Sequence, residues 1–241
     1  MSWKPRRRFW SEVAVQADAG GFIVLLDGRA LQTPAKAPLV LPGAALARAV
    51  AAEWRAIEAE IDPETLPLTR AANTAIDRVA REPARVVAAI AAYGEDDLIC
   101  YRAEGPEALC RRQAAAWDPW LAWSADSLGA PLAGVTGVMH RAQPAASLAA
   151  LRDAVAEHDP FALTGLHDLV TLSGSLVLGL AVARRALDAA EAWRLSRIDE
   201  EWQAEQWGAD DEAEAAAALK RRAFLGADRL LGLLRSSESL S

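Results

Sequence analysis

The chain has 241 residues, 52% of them apolar and 24% charged, a balance that builds a packed core and excludes a disordered polymer. A formal net charge of −7 and a pI near 5.1 exclude a binder of duplex DNA or RNA, which needs clustered Lys and Arg to neutralise phosphates. Two cysteines, Cys100 and Cys110, lack C-x-x-C spacing, so they exclude a disulfide scaffold and are expected to be buried thiols of a reducing compartment.

The chain opens on a basic cluster, Lys4, Arg6, Arg7 and Arg8, among Trp3, Phe9 and Trp10. It lacks the apolar stretch and small-residue cleavage site of a secretory signal. Strands are expected next: Val13 and Val15 alternate with their neighbours, Asp18-Ala19-Gly20-Gly21 supplies a turn, Phe22 to Leu26 forms a second strand, and Asp27-Gly28 marks a hairpin. Short extended pieces follow around Leu31 and Leu39 to Leu41. The period then changes. Leu46, Val50, Trp54, Ile57 and Ile61 recur at steps of four, four, three and four, which predicts one amphipathic helix starting just past Pro42, with Trp54 in the core. Asp62-Pro63 and Pro67 interrupt it, a helix is expected through Asn73 to Ala80, and Pro83 opens another.

Beyond that point the pattern is mainly helical, with a strand-like run at Leu98 to Tyr101 and helices starting at Pro106, Pro144 and Pro160. Trp117, Trp120 and Trp123 sweep one broad helical face. Leu169 to Ala183 is the most apolar run, too short for the ~17–20 residues that span a bilayer, and is expected to be the central buried helix of a bundle of four or five. The predicted class is therefore α+β: an N-terminal α+β domain over 1–80 and a helical domain over 81–241. No membrane insertion is expected.

The most informative segment is Ser196 to Gly208, where acidic residues and two tryptophans meet without a nucleophile or a histidine. Wound as a helix it sets Leu195, Ile198, Trp202 and Gln206 on one stripe, Glu201 and Glu205 along a border, and Trp193 and Trp207 on the far side. Two carboxylates one turn apart repel by about 0.2–0.5 kcal/mol. Either Arg197, one turn earlier, relieves Glu201 in a packed helix, or the acidic border meets a basic partner beside an exposed aromatic.

Catalytic signatures are sparse. His158-Asp159 and His167-Asp168 are the adjacent His-Asp pairs and suggest, as an alternative, a metal-dependent hydrolase. Pro160 interrupts the segment between them, and capping or surface roles are favoured. Ser173 to Gly179 lacks the Lys-Ser/Thr that completes a phosphate-binding loop, no dinucleotide fingerprint or Gly-x-Ser-x-Gly occurs, and no cofactor is expected. Its small residues suit close helix packing.

Taken in order, Phe9-Trp10, Leu26-Asp27-Gly28-Arg29, Thr33-Pro34-Ala35, Ala51-Ala52-Glu53-Trp54, Pro67-Leu68-Thr69-Arg70, Asn73-Thr74-Ala75-Ile76-Asp77, Leu98-Ile99-Cys100-Tyr101-Arg102, Trp117-Asp118-Pro119 and Ser196 to Gly208 resemble the ATP-twelve chaperone family, assembly factors for the catalytic head of F-type ATP synthase. The resemblance covers nearly the whole chain. It implies a non-enzymatic chaperone that binds the free F1 alpha subunit, prevents its aggregation and yields to the beta subunit, and an N-terminal α+β domain joined to an all-α one. It points to Glu201 or Glu205 as the functional acid; Glu200, Trp202 and Trp207 of the same segment are expected to join them in client binding. Mitochondrial members carry a transit peptide; this chain begins almost at the first family motif, so a bacterial, cytoplasmic protein is expected.

Overall fold

The structure, a computed structural model, describes residues 7–137, 139–208 and 210–238, so Trp3, Lys4 and Arg6 of the basic cluster lie outside the described residues. Two compact units divide the chain. The first takes the chain up to Pro83, Pro160–Gly165 and the stretch from Arg229 onward; the second takes Ala84–Asp159 and Leu166–Asp228. The expected class holds: a small N-terminal sheet precedes a helical region.

In the first unit β1 (Val13–Asp18) and β2 (Gly21–Leu26) pair antiparallel with Val13 opposite Leu26, and β3 (Arg29–Ala30) continues along β2. Asp27 and Gly28 both take positive φ, 46° and 79°, as the two central residues of a tight hairpin turn do. The Asp27 carboxylate accepts the backbone N–H groups of Ser11 (3.0 Å) and Glu12 (2.8 Å), which hold its pKa below the usual carboxylate value.

Helix α1 (Ala44–Ala56) buries Leu46, Ala47, Val50 and Ala51 and packs on β1 and β2. It ends sooner than its spacing predicts. Ile57 turns extended (ψ 118°), so Ile57 and Ile61 pack from the following loop and not from the helix. Trp54 is half-buried rather than core, donating its Nε1–H to the Thr69 hydroxyl at 3.1 Å and meeting Trp10 at 5.1 Å. Helix α2 (Pro67–Asp77) begins six residues before the predicted start at Asn73 and ends three before Ala80. Its start is made by a remote residue: the Glu53 carboxylate accepts Leu68 N–H (2.7 Å), Thr69 N–H (2.9 Å) and the Thr69 hydroxyl (2.7 Å). A carboxylate facing free N–H groups and the positive end of the helix dipole supplies the missing cap. Asp77, at the other end of α2, accepts from Thr33 and the Ala35 N–H.

Helix α3 (Pro83–Ala91) leads to a 3-10 turn at Leu98–Cys100, where a strand was expected, and only Tyr101–Arg102 (β4) are extended. Then come α4 (Glu107–Leu128), β5 (Val135–Thr136) parallel to β4, α5 (Ala145–Ala156), α6 (Pro160–Ser173), α7 (Leu176–Ala183), α8 (Ala189–Leu195), α9 (Ile198–Trp207) and α10 (Asp211–Glu238). The helices are thus more numerous than the four or five expected. The apolar run Leu169 to Ala183 is two helices. Gly174 takes φ +73°, a left-handed conformation that glycine adopts without strain, and Ser175 then caps α7 by accepting the Leu178 N–H at 3.1 Å.

All eight residues of α7 are buried, and it packs against α4 and α8. A Cβ at Gly179 would stand 2.6 Å from Val170 Cγ2 on α6, so the absence of a side chain permits this approach. Beside α7's first turn lies Asp97, wholly buried, accepting from Val177 N–H (3.0 Å), Ile99 N–H (3.2 Å) and the Ser175 hydroxyl. Burial outweighs these donors and pushes its pKa up to about 6. Cys100 is buried as expected, its thiol pushed up to about 12 by that burial; Cys110 is only half-buried and donates to the Ala103 carbonyl.

Candidate functional site

Helices α8 and α9 divide the acidic-aromatic segment. Arg197 leaves helical geometry between them (φ −115°, ψ 12°), so the predicted stripe comes from two helices: Leu195 and Ile198 are buried, Trp202 is half-buried, and Gln206 is exposed. The two flanking tryptophans part company. Trp193 is buried on α8 with its ring 5.7 Å from Phe224, whereas Trp207, at the end of α9, is 80% exposed. The three acids of α9's first turn, Asp199, Glu200 and Glu201, suit the positive end of its dipole.

Arg197 does not relieve Glu201. Its guanidinium pairs with Glu200 at 2.6 Å and lies over the Trp193 ring, satisfied by the carboxylate three residues on. Glu201 and Glu205 instead share Arg112 of α4: Nη2 donates to Glu201 Oε2 at 3.0 Å, and Nη1 donates to both oxygens of Glu205 at 2.7 and 2.9 Å. The Glu205 hydrogen bond is the first cause of a raised Arg112 pKa. One cation thus bridges the two acids whose mutual repulsion the spacing predicts.

The neighbouring residue completes the grip. Gln113 is buried, its Oε1 accepting the Ala103 N–H at 2.8 Å and its Nε2 donating to Asp199 Oδ1 at 2.6 Å. One turn along α4, the buried Trp117 donates its indole N–H to the Leu195 carbonyl at 2.8 Å, at the end of α8. Arg102 lies 4.9 Å over the Trp117 ring and pairs with Asp118 at 2.6 Å. Trp120 and Trp123 are half-buried and meet edge to face at 6.2 Å, so the α4 tryptophans share out: one in the core, two at its margin. Pro119 sits inside α4 and cannot donate to the Ala115 carbonyl.

Arg102 closes the Leu98–Arg102 motif, but Arg112 and Gln113 were not singled out by their sequence neighbourhood. Nothing local marks them: Arg112 lies 89 and 93 residues from its two partners. The chain through and beyond α9 is rich in acid. From Asp199 to Glu214 the chain carries Asp199, Glu200, Glu201, Glu205, Asp210, Asp211, Glu212 and Glu214, with no Lys or Arg between Arg197 and Lys220.

The histidine pairs form no such cluster. His158 places Nδ1 3.1 and 3.2 Å from the Ala154 and Val155 carbonyls at the end of α5, and the His167 ring meets its neighbour Asp168 at 3.2 Å. Among the described residues no three His, Cys, Asp or Glu side chains stand close enough to hold a metal ion, and no helix is long and apolar enough to cross a membrane.

Comparison with known proteins gives this arrangement a lineage. Residues 7–125 match the family described as ATP12 chaperone protein. The crystal structure of Atp12 from Paracoccus denitrificans superposes with a TM-score of 0.92 at 53% identity, covering 95% of this chain and 98% of that one. That of the Atu1473 protein from Agrobacterium tumefaciens also gives 0.92, at 43% identity, over 95% of this chain and 87% of that one. A mitochondrial relative, protein atp12 of Schizosaccharomyces pombe, is 23% identical over 219 residues, 86% of this chain and 75% of that protein. The chain therefore belongs to the ATP12 chaperone family and serves as a chaperone in ATP synthase assembly.

Proposed function

We propose that this protein binds the unassembled F1 alpha subunit of ATP synthase, in the bacterial cytoplasm, through the acidic-aromatic face of α9, with Glu200, Glu201, Trp202, Glu205 and Trp207 as the contact residues. The observation that carries the proposal is α9 itself: a helix with Ile198 as its one buried residue, displaying a largely exposed tryptophan amid carboxylates. A subunit awaiting its ring neighbours exposes apolar surface that aggregates unless covered. An aromatic anchor supplies buried area on contact, and an acidic rim steers and orients a basic partner surface while leaving the affinity salt-sensitive, as a temporary complex requires. The work is binding and release, with no bond made or broken.

The test is the affinity of purified protein for isolated alpha subunit. Glu201→Gln and Glu205→Gln are each expected to weaken binding by about 2 kcal/mol, some thirtyfold in Kd, while stability falls by no more than the ~0.2–1 kcal/mol that a half-exposed ion pair to Arg112 is worth. Wild-type affinity in both variants and in the double variant would remove the acids from the mechanism. Equal binding of unrelated unfolded proteins would indicate a general holdase.

A further inference from the structure

We propose that Arg112 is the positioning residue of this face: it holds Glu201 and Glu205 as one paired acceptor that receives a single basic side chain of the client. The inference rests on the reading of α9 as the client surface. It comes from the geometry of the fork. A single guanidinium bridges two carboxylates, and it is the more deeply set partner: the Arg112 side chain is 30% exposed, against 41% for Glu201 and 52% for Glu205. The cation is the least exposed of the three. Glu201 Oε1 has no hydrogen-bond partner among the described residues, so the pair keeps acceptor capacity.

Charge points the same way. Two carboxylates and one guanidinium leave one uncompensated negative charge, matched by one arginine or lysine. Of the other cations nearby, Arg197 pairs with Glu200 and Arg102 with Asp118, while Arg194 hydrogen-bonds Glu191 and reaches Glu201 through its charge alone, with no hydrogen bond to it. Without Arg112 two acids one turn apart repel and lose a common orientation. With it, the side chains are held before the client arrives, and a preorganised acceptor loses less freedom on binding.

This arrangement separates from a simple electrostatic one by the sign and the kinetics of a substitution. Arg112→Met keeps the aliphatic stem, removes the charge and makes the face more acidic. Steering alone then predicts tighter binding of a basic client. A positioning role predicts the reverse, confined to dissociation: koff for isolated alpha subunit rising about tenfold, while kon at low salt is undiminished and more salt-sensitive. Arg112→Lys is expected to recover part of the loss, because a compact ammonium restores the charge but not the two-pronged fork. Measuring kon and koff for these two variants alongside Glu201→Gln and Glu205→Gln, at two salt concentrations, decides the matter. Tighter or unchanged binding by Arg112→Met, with the glutamate variants weakened, overturns the proposal and leaves the client surface standing. Glutamate variants that bind as wild type overturn both. Should the Met variant not fold, a folded Lys variant with wild-type koff overturns the proposal by itself.

Discussion

Helices α7 and α9 lie in the same unit, eight and ten residues long, and are held by opposite means. Every residue of α7 is buried, so its place is set by apolar packing on all sides, and its remaining need is to satisfy the N–H groups of its first turn, which Ser175 and Asp97 do. In α9 only Ile198 is buried, and α4 holds it by polar contacts through Arg112 and Gln113. Apolar burial is non-directional and expels partners; a polar grip at the edge fixes a helix while leaving its outer face free. The first arrangement builds a core and the second presents a surface.

The strongest break of this comparison is a cavity in α7. Leu178→Ala is expected to cost about 2–5 kcal/mol, read as a fall in the thermal or denaturant midpoint. A loss below about 1 kcal/mol would mean that α7 is not the packed centre of its unit.

Asp97 sharpens the contrast between a buried and a displayed carboxylate. Its folded pKa, about 6, lies above the unfolded value of 3.8, so between those values the folded chain binds more protons and stability falls as pH rises. The contribution is largest below 3.8 and is lost through pH 6, a swing on the order of 3 kcal/mol. Unfolding free energies of wild type and Asp97→Asn across pH 4 to 7 are expected to diverge in that sense. Parallel curves would show the carboxylate to be better solvated than its burial implies.

At the weak end stands Trp207. Because its ring is largely in solvent, Trp207→Ser is expected to change stability by no more than about 0.5 kcal/mol while weakening alpha-subunit binding measurably. A substantial drop in melting temperature would place the ring in the fold rather than on the binding face.

Local chemistry made much of this fold legible. The Asp27-Gly28 hairpin, the start of α1 past Pro42 and the proline-marked starts of α3, α4, α5 and α6 each depend on residues a few positions apart. What escaped depends on distant ones. The start of α2 was missed because its cap is Glu53, fourteen residues before Pro67 in the chain and invisible to a local pattern. The apolar period runs through Ser173-Gly174-Ser175 without a gap, so hydrophobicity merged α6 with α7 although the glycine had already ended the first. The acids of α9 stood out by composition alone, but Arg197 offered a nearby partner for Glu201 and hid the one that folding supplies. Several family motifs prove to be tertiary ties within the first unit: Glu53 and Trp54 to Thr69, and Thr33 to Asp77.

The make-up of the first unit has a consequence for the order of synthesis. Leu230, 2% exposed, belongs to the same apolar cluster as Val24, Leu46 and Val50, with Phe161, Leu233 and Leu234 packed against it. Ribosomes add roughly 5–20 residues per second. The hairpin and α1 therefore leave the exit tunnel on the order of ten seconds before the segment that closes over their cluster has been translated. A chaperone is, during its own translation, briefly in need of cover itself, with its N-terminal strands waiting on α10.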